Sequence, residues 1–260
     1  MLKLSAHLSM MFSELPFLER FAAAARAGFK AVEFAFAYEH EPREIAERLS
    51  EHGLRCISIN APPGNMQAGD RGIAIFEHRV DEFRESVAMA LNYADKLECP
   101  NVHIMAGVCG DGDQEQYQRT YEDNLRFACT QAARLDKFIL IEPLNSIDRP
   151  GYLLTSQGRA NEIVTRLGLE NLRVMMDIYH TQMSEGNIAE KLKRHLARIG
   201  HIQISDVPGR HEPGTGEINF RYLFDVIQRL GYRGWIGCEY QPCGTTAEGL
   251  YWLKDHGLKL

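Results

Sequence analysis

The sequence predicts an α/β fold, a single-domain (β/α)8 TIM barrel that takes in residues 1–260. Strand-like and helix-like segments alternate along the whole chain, with no linker or low-complexity tract between them. Four apolar runs also end in an oxygen-bearing side chain, and a barrel brings all of its strand ends to one face. A doubly wound open sheet is the alternative, but it does not explain why so many strand ends carry such residues.

The first half of the chain contains four predicted strand–helix pairs. Proline begins the first helix, and Gly28 and Gly53 follow the ends of the first two helices, as is typical of helix termini. Apolar residues recur at helical spacing in the third helix. The predicted strands are residues 2–8, 31–36, 55–60 and 101–106, and the predicted helices are residues 16–27, 43–52, 77–97 and 114–135.

The second half repeats the pattern. The predicted strands begin at residue 138 and then cover 172–177, 201–205 and 235–240, and the predicted helices cover 155–167, 188–199, 222–230 and 247–256. One segment fits no regular element: residues 61–72, read A-P-P-G-N-M-Q-A-G-D-R-G, are rich in glycine and proline. We expect this segment to be a functional loop or lid.

Composition excludes several classes of protein. The net charge of −6 and sequence pI of 5.9 give no basic surface for nucleic acid or for an anionic membrane. No apolar run approaches the roughly 20 residues that span a bilayer, and the N-terminus lacks the pattern of a signal peptide. Six scattered cysteines without a CxxC pair are typical of reduced thiols in the cytoplasm. The sequence leaves open whether the chain forms a homo-oligomer.

The four strand-end residues are Glu142, Asp177, Gln203 and Glu239, the first of them within F-I-L-I-E-P-L-N. In a barrel they converge at the carboxyl-terminal mouth, where three carboxylates cannot share a dry site without compensation. Oxygen ligands favour a hard divalent metal, Mg²⁺ or Mn²⁺. Each acid taken alone is also explained as a helix N-cap or a salt-bridge partner, but four matching placements weaken that explanation.

Residues beyond these strand ends are candidates for binding a substrate. His180 comes three residues after the sixth strand, within reach of a substrate oxygen. Arg210 and His211 lie in a Gly/Pro-rich loop, and a guanidinium binds carboxylates bidentately. Glu217 and Asp206 are alternative partners that would neutralise Arg210.

Other conspicuous residues are explained by structure alone. His7 and His103 are expected to be satisfied core histidines, and Glu33 to support a ligand at most. The last group is expected to form core or pocket wall: Phe12, Phe36, Trp235 and Tyr240.

Several segments together resemble the hydroxypyruvate isomerase family. They are L-S-M-M-F, A-G-F-K-A-V-E-F, I-E-P-L-N, D-I-Y-H, R-H-E-P-G-T-G-E-I-N and G-W-I-G-C-E-Y, spread over the whole chain. This family belongs to a larger group of xylose-isomerase-like barrels, which also holds ketose 3-epimerases and DNA repair enzymes of the AP-endonuclease type. The sparse histidines and acidic charge of this chain speak against the repair enzymes.

The resemblance implies a metal site made by Glu142, Asp177, Gln203 and Glu239, in which the two glutamates also act as the acid/base pair. His180 and Arg210 match residues that the epimerases use on substrate oxygens. The implied reaction interconverts hydroxypyruvate and 2-hydroxy-3-oxopropanoate (tartronate semialdehyde) through an enediolate.

Three alternatives remain: a 2-oxotetronate isomerase, a ketose 3-epimerase and a non-catalytic sugar-acid binding protein. The epimerases carry histidine where this chain has Gln203, which favours the hydroxypyruvate isomerase branch. The presence of both Glu142 and Glu239 argues against a silent binding protein.

Overall fold

The structure is a computed structural model that describes residues 2–260. Its eight strands form a closed parallel barrel in chain order, as predicted. The first strand pairs with both the second and the eighth strand, so the alternative of an open sheet is excluded. Closure leaves no strand edge exposed. The strands are β1 Lys3–His7, β2 Ala31–Phe34, β3 Arg55–Asn60, β4 Asn101–His103, β5 Phe138–Ile141, β6 Leu172–Asp177, β7 Ile199–Ile204 and β8 Trp235–Cys238.

Helices surround the barrel, and their apolar faces are buried against the strands. Local capping sets several helix boundaries. Gly28 ends the first helix with a φ of 107°, and the Asp113 and Ser156 side chains cap the N-termini of the fourth and fifth helices. The helices are α1 Phe17–Ala27, α2 Pro42–Glu51, α3 Val80–Lys96, α4 Gln114–Ala133, α5 Gln157–Leu167, α6 Ile178–Ser184, α7 Ile188–His195, α8 Phe220–Arg229, α9 Thr246–Gly249 and α10 Trp252–Asp255. Three 3-10 turns are added, at Met66–Ala68, Glu77–Arg79 and Leu196–Arg198.

Besides small shifts of element ends, the structure departs from the predicted elements at three places. α6 follows β6 directly and was not predicted, because seven residues are too few for a clear helical period. The predicted helix 247–256 is two short helices, the first begun by a capping box at Thr245. The predicted strand 101–106 ends at His103, since the N–H of Ala106 donates to the Tyr152 hydroxyl instead of to a strand.

Two further properties bear on the class of protein. Within residues 2–260, no helix combines the length and apolar character needed to cross a membrane. All six cysteines are free, and four of them are buried. No disulfide therefore constrains the barrel in this structure.

A buried carboxylate, Asp206, organises the loop between β7 and α8. It is fully buried, and its two oxygens accept four backbone N–H groups at 2.8–3.0 Å. The donors are Val207, Gly214, Gly216 and Ile218. The alternative in which Asp206 pairs with the Arg210 guanidinium is therefore wrong, because this carboxylate accepts hydrogen bonds from the loop backbone.

We expect Asp206→Ala to lower the free energy of unfolding by about 3 kcal/mol, because the buried N–H groups of Val207 and Ile218 lose their acceptor and each such loss costs roughly 1–3 kcal/mol. Urea unfolding followed by circular dichroism measures this change. Asp225→Ala on the exposed face of α8 is the matched control. A loss no larger than that of the control would contradict the structural role of Asp206.

Candidate active site

The four strand-end residues lie at the carboxyl-terminal face of the barrel. Glu142 directly follows β5, Asp177 is the last residue of β6, Gln203 lies near the end of β7, and Glu239 directly follows β8. Asp177 and Gln203 are neighbours in the register of β6 and β7. The parallel barrel thus brings all four to the same mouth.

The side chains converge closely. One ligand atom each from Glu142, Asp177 and His180 lies within 4.8 Å of the other two. The Arg210 Nη2 atom lies 3.0 Å from Asp177 Oδ2 and 2.9 Å from Glu239 Oε2, so one guanidinium nitrogen bridges two carboxylates. Three carboxylates therefore surround one point at the mouth.

This concentration of negative charge is only partly neutralised. Burial raises the pKa of Glu142 well above its ordinary value, and the Glu239 and Asp177 carboxylates raise it further. Burial also raises the pKa of Asp177, while Arg210 opposes the shift. One arginine cannot balance three carboxylates, so the site favours a proton or a further cation.

Asp177 divides its two oxygens between structure and site. Oδ1 accepts the N–H of Tyr179 at 2.8 Å and caps α6, as the helix N-cap alternative predicts. Oδ2 faces Arg210 and the other carboxylates. Capping and site chemistry are thus combined in one residue, so the two explanations are not exclusive.

His180 is a neutral hydrogen-bond donor that faces the carboxylates. Its Nδ1 accepts the backbone N–H of Asn145 at 3.2 Å and lies 2.7 Å from the Asn145 side-chain nitrogen. Because Nδ1 accepts, the proton of the neutral ring sits on Nε2, 3.7 Å from Asp177 Oδ2. Burial and then Arg210 lower the pKa of His180 to about 3.

His7 and His103 line the site, and the expectation of satisfied core histidines is wrong. His7 Nε2 lies 3.4 Å from Glu239 Oε1, and His103 Nε2 lies 3.7 Å from Glu142 Oε2. Both rings are buried, and each keeps one nitrogen without a hydrogen-bond partner in residues 2–260. Each is the last residue of its strand, β1 or β4, whereas the predicted strands 2–8 and 101–106 placed both histidines inside a strand.

Glu33 fixes the orientation of Gln203 from inside the barrel. Its Oε1 accepts the Gln203 Nε2–H at 2.9 Å, and its Oε2 lies 2.7 Å from Ser5 Oγ and 2.8 Å from His201 Nε2. Burial alone would raise the pKa of Glu33, but His201 and the other neighbours lower it to about 2. An ionised carboxylate only accepts hydrogen bonds, so the amide nitrogen of Gln203 must face it.

The amide oxygen of Gln203 therefore lies on the side away from Glu33. This Oε1 atom and Glu142 Oε1 are both buried without a hydrogen-bond partner among residues 2–260. Buried oxygens without a partner are costly, and a bound cation removes that cost. Four oxygen-bearing side chains in this arrangement fit a hard divalent ion such as Mg²⁺ or Mn²⁺.

The two basic residues of the β7–α8 loop lie in different places. Arg210 reaches into the carboxylates and lies over the Tyr179 ring at 5.2 Å. The alternative partner Glu217 accepts from Gln182 instead, so that pairing is wrong. The His211 ring lies beside Gln241, and within residues 2–260 it has no hydrogen bond to the carboxylates of the mouth.

Comparison with known proteins defines the class. Residues 21–256 match the family described as the xylose isomerase-like TIM barrel, so the chain belongs to this family. The resemblance drawn from the sequence is confirmed by two bacterial relatives. The chain is 48% identical over 255 residues to a 2-oxo-tetronate isomerase of Cupriavidus necator, covering 98% of each chain. It is 43% identical to hydroxypyruvate isomerase of Escherichia coli, covering 98% of this chain and 100% of the other.

Solved structures agree on the fold. A crystal structure described as an AP endonuclease of family 2 from Brucella melitensis matches with a TM-score of 0.96 and 42% identity, over 98% of this chain and 99% of the other. A D-allulose 3-epimerase from Methylomonas matches with a TM-score of 0.75 at 18% identity, covering 100% of this chain and 92% of the other. This second match supports the barrel fold alone.

We expect His180 and His103 to stay neutral from pH 8 down to pH 5, because the pKa of each is lowered to about 3, mainly by burial. Nitrogen-15 NMR of the histidine rings measures both protonation and tautomer. For His180 the proton should appear on Nε2 throughout this range. A protonation midpoint between pH 5 and pH 8 for either ring, or a proton on Nδ1 of His180, would contradict the assignment.

Proposed function

We propose that the protein is a metal-dependent isomerase that interconverts hydroxypyruvate and 2-hydroxy-3-oxopropanoate. The isomerase class follows from the relatives, which are named for isomerisation of small 2-oxo acids and match over the full chain. The observation that carries the metal-dependent mechanism is the convergence of Glu142, Asp177 and Glu239 at the mouth. The free cysteines support a cytoplasmic location.

In this proposal Glu142, Asp177, Gln203 and Glu239 hold Mg²⁺ or Mn²⁺. When bound, the ion polarises the carbonyl and hydroxyl oxygens of the substrate and lowers the cost of the enediolate. The Gln203 amide oxygen and Glu142 Oε1, both buried without a partner among residues 2–260, support this ligand set.

Glu142 and Glu239 are the proposed acid/base pair. One glutamate removes a proton from C3 of hydroxypyruvate and a proton is returned at C2, while the hydroxyl proton is lost from O3 and a proton is gained at O2, which leaves an aldehyde at C3 and a hydroxyl at C2. The raised pKa of Glu142 supports a role in carrying a proton. His7 beside Glu239 and His103 beside Glu142 restrict where each carboxylate can lie.

His180 and Arg210 are proposed to bind the substrate. The Nε2–H of the neutral His180 ring is available to donate to a substrate oxygen, and this donor would stabilise the enediolate. The Arg210 guanidinium, already beside the mouth, would bind the substrate carboxylate bidentately. His211 remains a prediction from the sequence, since its ring lies beside Gln241.

Residues 61–72 are the proposed lid that excludes water from the enediolate. The C-terminal part of the lid is anchored, because Asp70 accepts two hydrogen bonds from the Arg79 guanidinium, at 2.9 and 2.8 Å. The tip at Asn65–Gly69 is exposed or partly exposed. Movement would thus be confined to a short segment.

Isomerisation of 2-oxotetronate is the second candidate, because the relative at 48% identity is named for that substrate. The same residues at the mouth would serve both reactions, since each moves a proton between C3 and C2 of a 2-oxo acid. The two candidates differ in the space required beyond C3.

The experiment measures deuterium uptake from D2O by NMR with hydroxypyruvate, 2-oxotetronate and a ketose, with Mn²⁺ or Mg²⁺ and after complete chelation. We expect hydroxypyruvate to take up carbon-bound deuterium only when metal is present. Glu239→Gln should lower turnover roughly 100-fold or more with the fold retained, because a general base is removed. Glu170→Gln on the surface is the control.

Each outcome decides between the candidates. Faster exchange with 2-oxotetronate moves the assignment to that substrate, and faster exchange with the ketose moves it to the epimerases. Full activity after chelation would refute the metal, and exchange with none of the three would refute the isomerase.

We expect Glu33→Gln to weaken Mn²⁺ binding roughly 10- to 100-fold, as other changes behind metal ligands do. The new amide both donates and accepts, so it no longer forces the Gln203 oxygen toward the mouth. Isothermal titration calorimetry measures the affinity, and circular dichroism checks the fold. An affinity equal to that of Glu170→Gln, which changes the net charge by the same amount, would contradict this role for Glu33.

A further inference from the structure

A second group of metal-ligating side chains lies outside the mouth, and we call it the outer cluster: His211, Glu212 and Cys243. One ligand atom from each lies within 4.8 Å of the other two. The first two residues belong to the loop after β7, and the third belongs to the loop after β8. The proposed isomerase mechanism uses neither Glu212 nor Cys243.

Backbone contacts hold the two loops of the outer cluster together. The Gln241 N–H donates to the Arg210 carbonyl at 2.8 Å, and the Cys243 N–H lies 3.2 Å from both oxygens of Glu212. The Asp206 N–H donates to the His211 carbonyl at 2.9 Å. The three side chains are therefore brought together by ordered backbone and not by chance contacts of flexible tips.

The His211 ring is oriented as a metal ligand would be. Its Nδ1 lies 2.8 Å from the carbonyl oxygen of Gln241. A carbonyl only accepts, so Nδ1 carries the proton and the lone pair of the neutral ring is on Nε2. A histidine that binds a metal through one nitrogen commonly donates from the other to a carbonyl in this way.

Glu212 supplies a fixed carboxylate and Cys243 an accessible sulfur. Glu212 is 2% exposed, and a Cβ at Gly249 would come within 2.3 Å of its Oε1, so glycine makes room for the carboxylate. Cys243 is exposed. Desolvation and the Glu212 carboxylate raise the pKa of Cys243, and a cation between the two groups would reverse the effect of the carboxylate.

We propose that the outer cluster binds Zn²⁺ through His211 Nε2, a Glu212 oxygen and Cys243 Sγ, with water as the fourth ligand. A mixed set of nitrogen, oxygen and sulfur donors favours zinc, whereas the oxygen donors at the mouth favour Mg²⁺ or Mn²⁺. The thiol proton leaves to solvent as the sulfur binds, so affinity rises with pH. Bound zinc would tie the loop that carries Arg210 to the loop that follows Glu239.

The test is a titration of the full chain with Co²⁺, a spectroscopic substitute for Zn²⁺, in saturating Mg²⁺ so that the mouth does not compete. We expect a thiolate-to-cobalt charge-transfer band in the near ultraviolet that saturates at one equivalent and is displaced by Zn²⁺. Cys243→Ser should abolish the band. His211→Ala should weaken cobalt binding at least tenfold, because a ligand is lost.

Cys109→Ser is the matched control, because Cys109 is the other cysteine that is not buried. The proposal stands if the band survives in Cys109→Ser and is lost in Cys243→Ser. It is overturned if the wild-type chain shows no band, or if the band persists in Cys243→Ser. Equal affinity in His211→Ala also overturns it, because cobalt would then be bound by an exposed thiol alone. Circular dichroism of each variant separates loss of a ligand from loss of the fold.

Discussion

Mutual repulsion among Glu142, Asp177 and Glu239 is the constraint that the rest of the site must satisfy. Each carboxylate raises the energy of its neighbours, and burial raises it further because water is excluded. The surrounding groups all act against this cost: Arg210 bridges two of the carboxylates, and His180 faces them with a proton on Nε2. The remaining imbalance of charge is what supports the proposed divalent cation at this mouth.

The interior of the barrel also serves this constraint. TIM barrels usually fill their interior with layers of branched apolar residues, but here Ser5, Glu33 and His201 form a buried polar network beneath Gln203. Gly237 on β8 allows this, because a Cβ there would come within 2.2 Å of Glu33 Oε1. The network ends at the Gln203 amide nitrogen, so the amide oxygen lies on the side away from Glu33. A polar interior thus fixes an oxygen at the mouth that a freely rotating amide would not.

The sequence predicted the parts of the protein that follow from a repeated pattern. The alternation of strands and helices predicted the barrel. The acids at matching strand ends predicted that Glu142, Asp177 and Glu239 lie together, because the carboxyl ends of the parallel strands of a barrel lie at one face. His103 also ends a strand. A neutral histidine is common in a protein core, however, so the sequence pattern did not distinguish a histidine of the site from a histidine of the core. The His211 ring direction depends on contacts between two loops, which no local pattern records.

The type of reaction is easier to infer from the sequence than the substrate, because the proposed acid/base residues lie at the strand ends. In the proposed reaction the acid/base glutamates lie at the strand ends, and their chemistry is the same for a three-carbon or a four-carbon acid. Whatever distinguishes the two substrates must contact the substrate beyond C3, so the shared chemistry at the strand ends does not decide between them. Relatives named for the two substrates are 48% and 43% identical to this chain, and overall similarity does not separate them. We therefore expect discrimination from side chains outside the strand ends, in loops whose backbone is held by buried carboxylates such as Asp206 and Glu212.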